Sequence, residues 1–110
     1  DDAILASANL YNSGTGTFSN TGSMNTATGR QTSTLLIDGK VLIAGGYDGA
    51  NALSSAELYD PVAGTFSVTG SMTVPRWRQA EARLLNGDVL IVGGANAGAA
   101  LASAETYTRK

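Results

Sequence analysis

The sequence of 110 residues contains no cysteine and no histidine. Without them the chain cannot form disulfides, thiolate nucleophiles, haem or zinc sites with nitrogen or sulfur ligands, or any mechanism that needs a histidine base. Most enzyme classes are thereby excluded. We expect no catalysis, no metal and no cofactor.

Charge is also scarce, since only 15% of residues are charged and the formal net charge is −2. Such a chain lacks the basic surface that nucleic acids or anionic membranes attract, so we expect neither as a partner. No apolar run reaches the roughly 18 residues of a membrane span. The start Asp1-Asp2-Ala3 has neither a basic leader nor a methionine, which suggests a processed or excised segment.

Apolar residues and glycine are plentiful by comparison. Hydrophobic residues make up 43% of the chain, and 14 residues are glycine. This composition can form a core and favours short strands joined by tight turns. The length fits one small domain.

A repeat of 48 residues organises the chain. Residues 7–11 (SANLY) recur as residues 55–59 (SAELY) and as residues 103–107 (SAETY). Aligning 7–54 with 55–102 gives 23 identical positions without a gap. The single segment 1–110 therefore divides into repeat 7–54, repeat 55–102 and a partial third repeat 103–110.

Each repeat predicts short strands and no helix, because no long segment keeps a helical apolar spacing. The predicted strands are 31–36, 41–44, 56–59 and 65–68, and in the next copy 79–85 and 89–92. Asn86-Gly87 separates the last two, and this pair favours a hairpin turn with positive φ at both residues. One four-stranded sheet of this size is marginal alone, so the sheets must stack. An array of four-stranded units of this length is typical of propeller blades.

The residues at these positions resemble the kelch repeat. The doublet Gly45-Gly46 follows an apolar strand, and Tyr59 and Phe66 come after it, separated by a six-residue gap. In the kelch pattern a tryptophan stands at the phenylalanine position. Bacterial members often have a histidine where Gln31 and Gln79 stand here. The resemblance implies an all-β propeller of about six or seven blades that is a scaffold, a sugar-binding module or, less often, an oxidase.

By the strand order of that family, the chain holds pieces of three blades. It begins with the third and fourth strands of one blade (6–11 and 16–20), continues through a full blade, and ends with the first three strands of another. We expect the ring to be completed by other copies or by further blades of a parent chain. Three head-to-tail copies would give six blades, so a trimer is the preferred oligomer.

The lengths of the loops predict where a ligand binds. Turns on one rim are tight, whereas the loops 22–30, 46–54, 70–78 and 94–102 on the other rim are long, and long loops on a rigid scaffold carry binding residues. The candidate ligand-binding residues on this long-loop rim are Tyr47, Asp48, Asn51, Arg30, Arg76, Trp77, Arg78 and Asn96.

Trp77 has two interpretations. Flanked by Arg76 and Arg78, it offers an aromatic face for a sugar or peptide together with guanidinium donors for carboxylates. The other interpretation, which is the commoner role of such residues, is that Trp77 packs against a neighbouring blade, with Arg30 and Arg78 bonded to loop carbonyls. Trp77 does not recur, because Gly29 takes its place in the first copy.

Glu81 and Arg83 alternate on the innermost strand and so share one face. They are candidates for lining a polar channel that takes an ion or small ligand, although an ion pair across two blades is the commoner explanation of such residues. The glycine doublets lack the features of a phosphate loop and favour close blade contact instead. Asp48 and Asn51 supply too few oxygens for a calcium site. Recurrence of Tyr11, Tyr59 and Tyr107 indicates packing.

Together these features predict a non-catalytic propeller building block or binding scaffold, with a protein or carbohydrate ligand on the long-loop rim. The alternative is a fragment of a larger carbohydrate-binding or galactose-oxidase-like propeller protein. Copper oxidases that resemble this fold need histidine and a cross-linked cysteine. In that case the active site would lie outside this chain.

Overall fold

The computed structural model describes residues 4–96 and 98–108, where strands and turns occur and no helix does. The predicted chain start Asp1-Asp2-Ala3 and the last residues of the partial third repeat lie outside these ranges. The strands are β1 (Asn9–Asn12), β2 (Thr17–Asn20), β3 (Thr32–Leu35), β4 (Val41–Ala44), β5 (Ala56–Asp60), β6 (Thr65–Thr69), β7 (Ala80–Arg83), β8 (Val89–Val92), β9 (Ala95–Asn96), β10 (Ala99–Ala100) and β11 (Ala104–Tyr107).

Three antiparallel sheets follow one another along the chain. We call β1–β2 the first hairpin, the sheet β3–β4–β5–β6 the middle blade, and the sheet β7–β8–β11 the last sheet. This is the predicted order of two strands, four strands and three strands. The short hairpin β9–β10 in the loop 94–102 is an addition that the sequence pattern did not indicate.

The turn between β7 and β8 differs from the prediction in one respect. Leu84 N–H donates to the Asp88 carbonyl at 2.7 Å, and Gly87 N–H donates back to the Leu84 carbonyl at 3.0 Å. Only Gly87, with φ of 95°, has positive φ here, so the expectation of positive φ at Asn86 is wrong. The loop contains one residue more than a two-residue turn, and such loops need the left-handed conformation only at their last position.

The core lies between the middle blade and the last sheet. On the middle blade it contains Leu42, Ala44, Ala56 and Leu58, which face Val89 and Ile91 of β8. Directly paired strand residues share a face, as Leu42 and Leu58 do. Met72, in the connecting loop, packs against this cluster. Two sheets therefore bury their apolar faces against each other, as the repeat predicted.

A tyrosine hydrogen bond recurs with the repeat and ties successive sheets together. The Tyr59 hydroxyl lies 2.7 Å from Thr21 Oγ1, just beyond the first hairpin. The Tyr107 hydroxyl lies 2.8 Å from Thr69 Oγ1 of the middle blade. Each pair is the 48-residue equivalent of the other, so the packing role expected of these tyrosines is confirmed. Tyr11 is 58% exposed and stacks on Phe18.

A glutamate on the same strand makes a second recurring contact. Glu57 accepts hydrogen bonds from the backbone N–H groups of Asn25 and Thr26 at 2.8 and 3.0 Å. One repeat later, Glu105 accepts from Thr73 and Val74 at 2.7 and 3.0 Å. A carboxylate that binds two loop amides fixes the loop between adjacent sheets, and these loops form the long-loop rim.

Candidate binding surface at the long-loop rim

Four of the predicted site residues meet around one indole ring. The ring of Tyr47 lies 5.4 Å from that of Trp77 at an interplanar angle of 37°. The guanidinium carbons of Arg30 and Arg78 lie 5.3 and 5.1 Å from the indole centroid. Trp77 and Tyr47 are half-buried and both arginines are exposed. We call these four residues the Trp77 cluster.

Backbone pairing explains why the two aromatic rings meet. Tyr47 forms an antiparallel bridge with Gly29, and Trp77 forms the equivalent bridge with Ala95. Each bridge combines one large and one small residue, in opposite order in the two repeats. The Gly46 N–H donates to the Arg76 carbonyl at 2.8 Å, so the residues that follow these two, Tyr47 and Trp77, lie side by side.

The two arginines are held in place by an unusual backbone. Arg30 and Arg78 have φ of 56° and 59° and are the only non-glycine residues in the described chain with positive φ. The Arg78 N–H donates to the Arg30 carbonyl at 3.2 Å, which links the two repeats. Left-handed backbone at a non-glycine residue is strained, and such residues concentrate at functional sites.

Arg76 lies away from this surface. Its side chain is fully buried, and its Nη1 donates to the carbonyls of Gly93 and Ser103 at 2.9 and 2.8 Å. Its Nη2 pairs with Glu105 at 3.2 Å. The guanidinium thus holds the last sheet together, and its contacts are those of a structural residue rather than of the ligand-binding residue predicted.

The remaining rim candidates belong to loops. Asp48 Oδ1 accepts from the backbone N–H groups of Ala50 and Asn51 at 2.9 and 2.8 Å. These bonds hold the pKa of Asp48, an exposed residue, below its ordinary value because they stabilise the ionised form. Asn51 is exposed, and Asn96 is half-buried in β9. Asp48 follows Tyr47 in the chain, and Asn96 follows Ala95, the backbone partner of Trp77.

Glu81 and Arg83 do reach across to the neighbouring blade, but not as an ion pair. Glu81 accepts hydrogen bonds from the hydroxyl groups of Thr32 and Thr34 on β3. Arg83 donates to the Leu35 carbonyl at 3.2 Å. Burial raises the pKa of Glu81, and the two threonine hydroxyls only partly oppose this shift.

Sequence reasoning missed the polar partners of Glu81. Gln79 is buried, and its Nε2 donates to Thr32 Oγ1 and to the Ala44 carbonyl, both at 2.9 Å. The sequence did contain a sign of this contact. Thr32 and Thr34 share one face of β3, just as Glu81 and Arg83 share one face of β7. A polar face on each of two inner strands indicates that the faces meet.

The structure also bears on larger ligands. Within the described residues no group of three or more acidic, cysteine or histidine side chains is placed to bind a metal ion. In the same residues, no helix is long and apolar enough to span a bilayer. A cavity of about 40 Å³ between Met72 and Tyr107 has room for little more than a water molecule. This cavity is too small for a sugar or a peptide.

The middle blade is similar in sequence to a known protein family. Residues 29–73 match the family described as the Kelch motif, and this range contains all four strands β3 to β6. No curated protein matches the chain significantly. One solved structure that matches is described as a novel fungal alcohol oxidase with catalytic diversity among the AA5 family, in complex with copper. It superposes with a TM-score of 0.74 at 20% identity over 93% of this chain but only 21% of that chain. This likeness concerns the fold alone.

Proposed function

We propose that this chain, in which residues 29–73 form a kelch motif, is a non-catalytic propeller building block. Copies join head to tail into a closed ring, and the long-loop rim of the ring binds a protein or carbohydrate ligand. Three copies with two blades' worth of strands each give a six-bladed trimer.

The proposed assembly rests on apolar residues that are buried between two sheets of the chain and recur on its outer faces. The buried interface pairs Leu42 and Ala44 of the middle blade with Val89 and Ile91 of the last sheet. One repeat later, Leu90 and Val92 stand where Leu42 and Ala44 stand in the middle blade. They alternate with Val89 and Ile91 along β8, so they lie on the face away from the core. Val92 is 40% exposed and Leu90 is half-buried.

The complementary surface lies at the other end of the chain. Val41 and Ile43 are one repeat before Val89 and Ile91, and both are half-buried. They lie opposite Tyr59 and Glu57, whose side chains bond to Thr21 and Asn25 after the first hairpin. The two ends therefore carry the two halves of an interface that the chain already forms internally. A second copy placed against the first would bury Leu90 and Val92 against Val41 and Ile43.

Native mass spectrometry of the purified chain tests the assembly. We expect three times the mass of one chain, and a Val92→Asp variant should remain monomeric because a charge would be buried at the interface. Val62→Asp is the matched control, since Val62 is 97% exposed in the turn between β5 and β6. A stable monomer of the natural chain at high concentration would contradict the proposal.

Recognition by the rim rests on the Trp77 cluster, where an aromatic pair and two exposed guanidinium groups lie together. Aromatic rings stack on sugars and peptides, and guanidinium groups bind carboxylates in pairs of hydrogen bonds. Screening of glycan and peptide arrays should give a ligand whose binding is lost in Trp77→Ala. The variant should stay folded, with a free energy of unfolding lowered by about 1 kcal/mol through the lost contacts with Tyr47 and the arginines. A ligand that binds the variant equally well would contradict the assignment.

A second candidate function is a fragment of a larger propeller enzyme. Its support is the solved oxidase, of which this chain spans about a fifth. With no cysteine and no histidine in this chain, the catalytic residues would have to lie on other blades. The parent reading frame decides between the two candidates, because further blades with a cysteine would favour the enzyme.

A further inference from the structure

We infer that copies of this chain join by strand exchange. In the joined state the first hairpin of one copy replaces β11 beside β8 of another, so that β7, β8 and the second copy's β1 and β2 form one four-stranded blade. The inference rests on the proposed ring and adds the strands that close it.

Sequence equivalence makes β1 a substitute for β11. Both strands are equivalents of β5, since residues 7–11 and 103–107 each align with residues 55–59. At the central position β5 has Leu58, which is 7% exposed in the core. β1 has Leu10 there, whereas β11 has Thr106. β1 therefore supplies the apolar residue that a complete blade has at this position.

The register of the exchanged pair follows from the middle blade. There Leu42 lies opposite Leu58, and Ala44 lies opposite Ala56. One repeat later the same register would place Leu90 opposite Leu10 of the second copy, and Val92 opposite its Ala8. In the described chain Val92 lies opposite Ala104 of β11, so the same edge of β8 serves either strand.

Exposure shows which strands lack neighbours. Leu10 is 43% exposed and Tyr11 is 58% exposed, whereas their equivalents Leu58 and Tyr59 are both buried. The first hairpin thus has the sequence of a blade's third and fourth strands without the first two beside it. β7 and β8 are those first two strands by sequence and by topology.

Exchange removes one contact and supplies another strand. Arg76 bonds to the Ser103 carbonyl and hydroxyl and to Glu105, which holds β11 in place. In the exchanged blade Ser7 offers the same serine groups, and Asn9 offers an amide oxygen where Glu105 had a carboxylate. In return β1 brings β2 with it as a fourth strand, and Leu90 and Val92 become covered by the second copy's middle blade. Completion of the blade is the driving force.

Cysteine cross-linking tests the exchange, because the chain has no cysteine of its own. An Ala8→Cys, Val92→Cys variant should form a disulfide between copies, visible as a cross-linked species on a non-reducing gel. Val92→Cys with Ala104→Cys is the matched control, and it should form a disulfide within one chain wherever β11 stays in place. Opposed strand residues are close enough for such a bond.

The outcomes separate the inference from the proposed ring. Oligomers with disulfides between copies support both. Oligomers in which only the control pair forms its bond overturn the exchange and leave the ring standing. A monomer overturns both.

A second variant tests why β1 is preferred. Thr106→Leu gives β11 the same central residue as β1, so in the Ala8→Cys, Val92→Cys background it should lower the fraction linked between copies while oligomers persist. An unchanged fraction would overturn the role assigned to Leu10.

Discussion

At the scale of single residues, ionisation of two glutamates in the last sheet has opposite effects on the stability of the fold. Partial burial raises the pKa of Glu105, but hydrogen bonds from Thr73, Val74 and Arg76 outweigh it and hold the pKa below the ordinary value of 4.5. Within residues 4–96 and 98–108 no cation pairs with Glu81, and burial holds its pKa above 4.5. The difference follows from their partners, which are amides and a guanidinium for Glu105 and neutral hydroxyls for Glu81.

Replacing Glu105 by glutamine should destabilise the chain. A pKa below the ordinary value means that the ionised group stabilises the fold above pH 4.5, and that this stabilisation is lost as the pH falls through the lowered pKa. Glu105→Gln should lose roughly 1–2 kcal/mol at pH 7, because buried Arg76 keeps its charge without a carboxylate. Urea unfolding from pH 3 to 7 checks this.

The matched control for that variant is Glu57→Gln. Glu57 occupies the equivalent position, but Thr28 replaces the arginine there. Its loss should be smaller. Equal losses at both positions would contradict the role assigned to the Arg76 ion pair.

Replacing Glu81 by glutamine should have the opposite effect. A raised pKa means that the ionised carboxylate costs stability, and that this cost appears as the pH rises through 4.5 and the raised pKa. Glu81→Gln should therefore raise the thermal midpoint at pH 7 and leave it nearly unchanged below pH 4. Midpoints that separate at acid pH instead would show that the carboxylate is stabilised by charge.

At the scale of elements, the double glycine after β4 permits the close approach of two sheets. Gly46 has φ of 104°, and its N–H donates to the Arg76 carbonyl at 2.8 Å. A Cβ at this position would overlap Thr28 Oγ1 and lie 2.7 Å from the Gly29 carbonyl oxygen. Both the backbone conformation and the lack of space require glycine, because the β4 end and the rim loops meet here.

Gly46→Ala should therefore destabilise the fold by more than about 3 kcal/mol. Gly39→Ala separates the two causes, since Gly39 has φ of 89° but a Cβ there would meet nothing within 4 Å. That control should lose only about 1 kcal/mol, the cost of the backbone conformation alone. Urea denaturation of both variants gives the comparison, and similar losses would mean that the close contact at Gly46 relaxes freely.

At the scale of the whole molecule, stability should depend on association. A sheet that buries one face only is marginal, and both ends of this chain present the equivalents of residues buried inside it. We expect the thermal midpoint to rise with protein concentration, because assembly stabilises the folded state by mass action. Calorimetry over a hundredfold concentration range measures this. In Val92→Asp the midpoint should be independent of concentration, and a concentration-independent midpoint in the natural chain would argue against the ring.

Much of the fold could be predicted from the sequence because its causes are local or periodic. The β-branched and apolar run Val41 to Ala44 and the turn glycines predict strands and hairpins to within a few residues. The 48-residue repeat then implies that whatever Tyr59 does, Tyr107 does one sheet later, as their matching bonds to Thr21 and Thr69 show.

The roles of the rim residues were decided by the tertiary structure. Arg76 and Arg78 flank Trp77 and look alike in the sequence, yet one is fully buried against Ser103 and Glu105 while the other lies exposed beside the indole. Burial depends on which sheet packs over a side chain, and that sheet comes from residues far along the chain. In the first copy the position of Arg76 is occupied by Thr28, so the repeat contains no second arginine from which the role of Arg76 could be inferred. The sequence thus determined the blades, and only their packing determined which polar residues are buried and which are exposed on the rim.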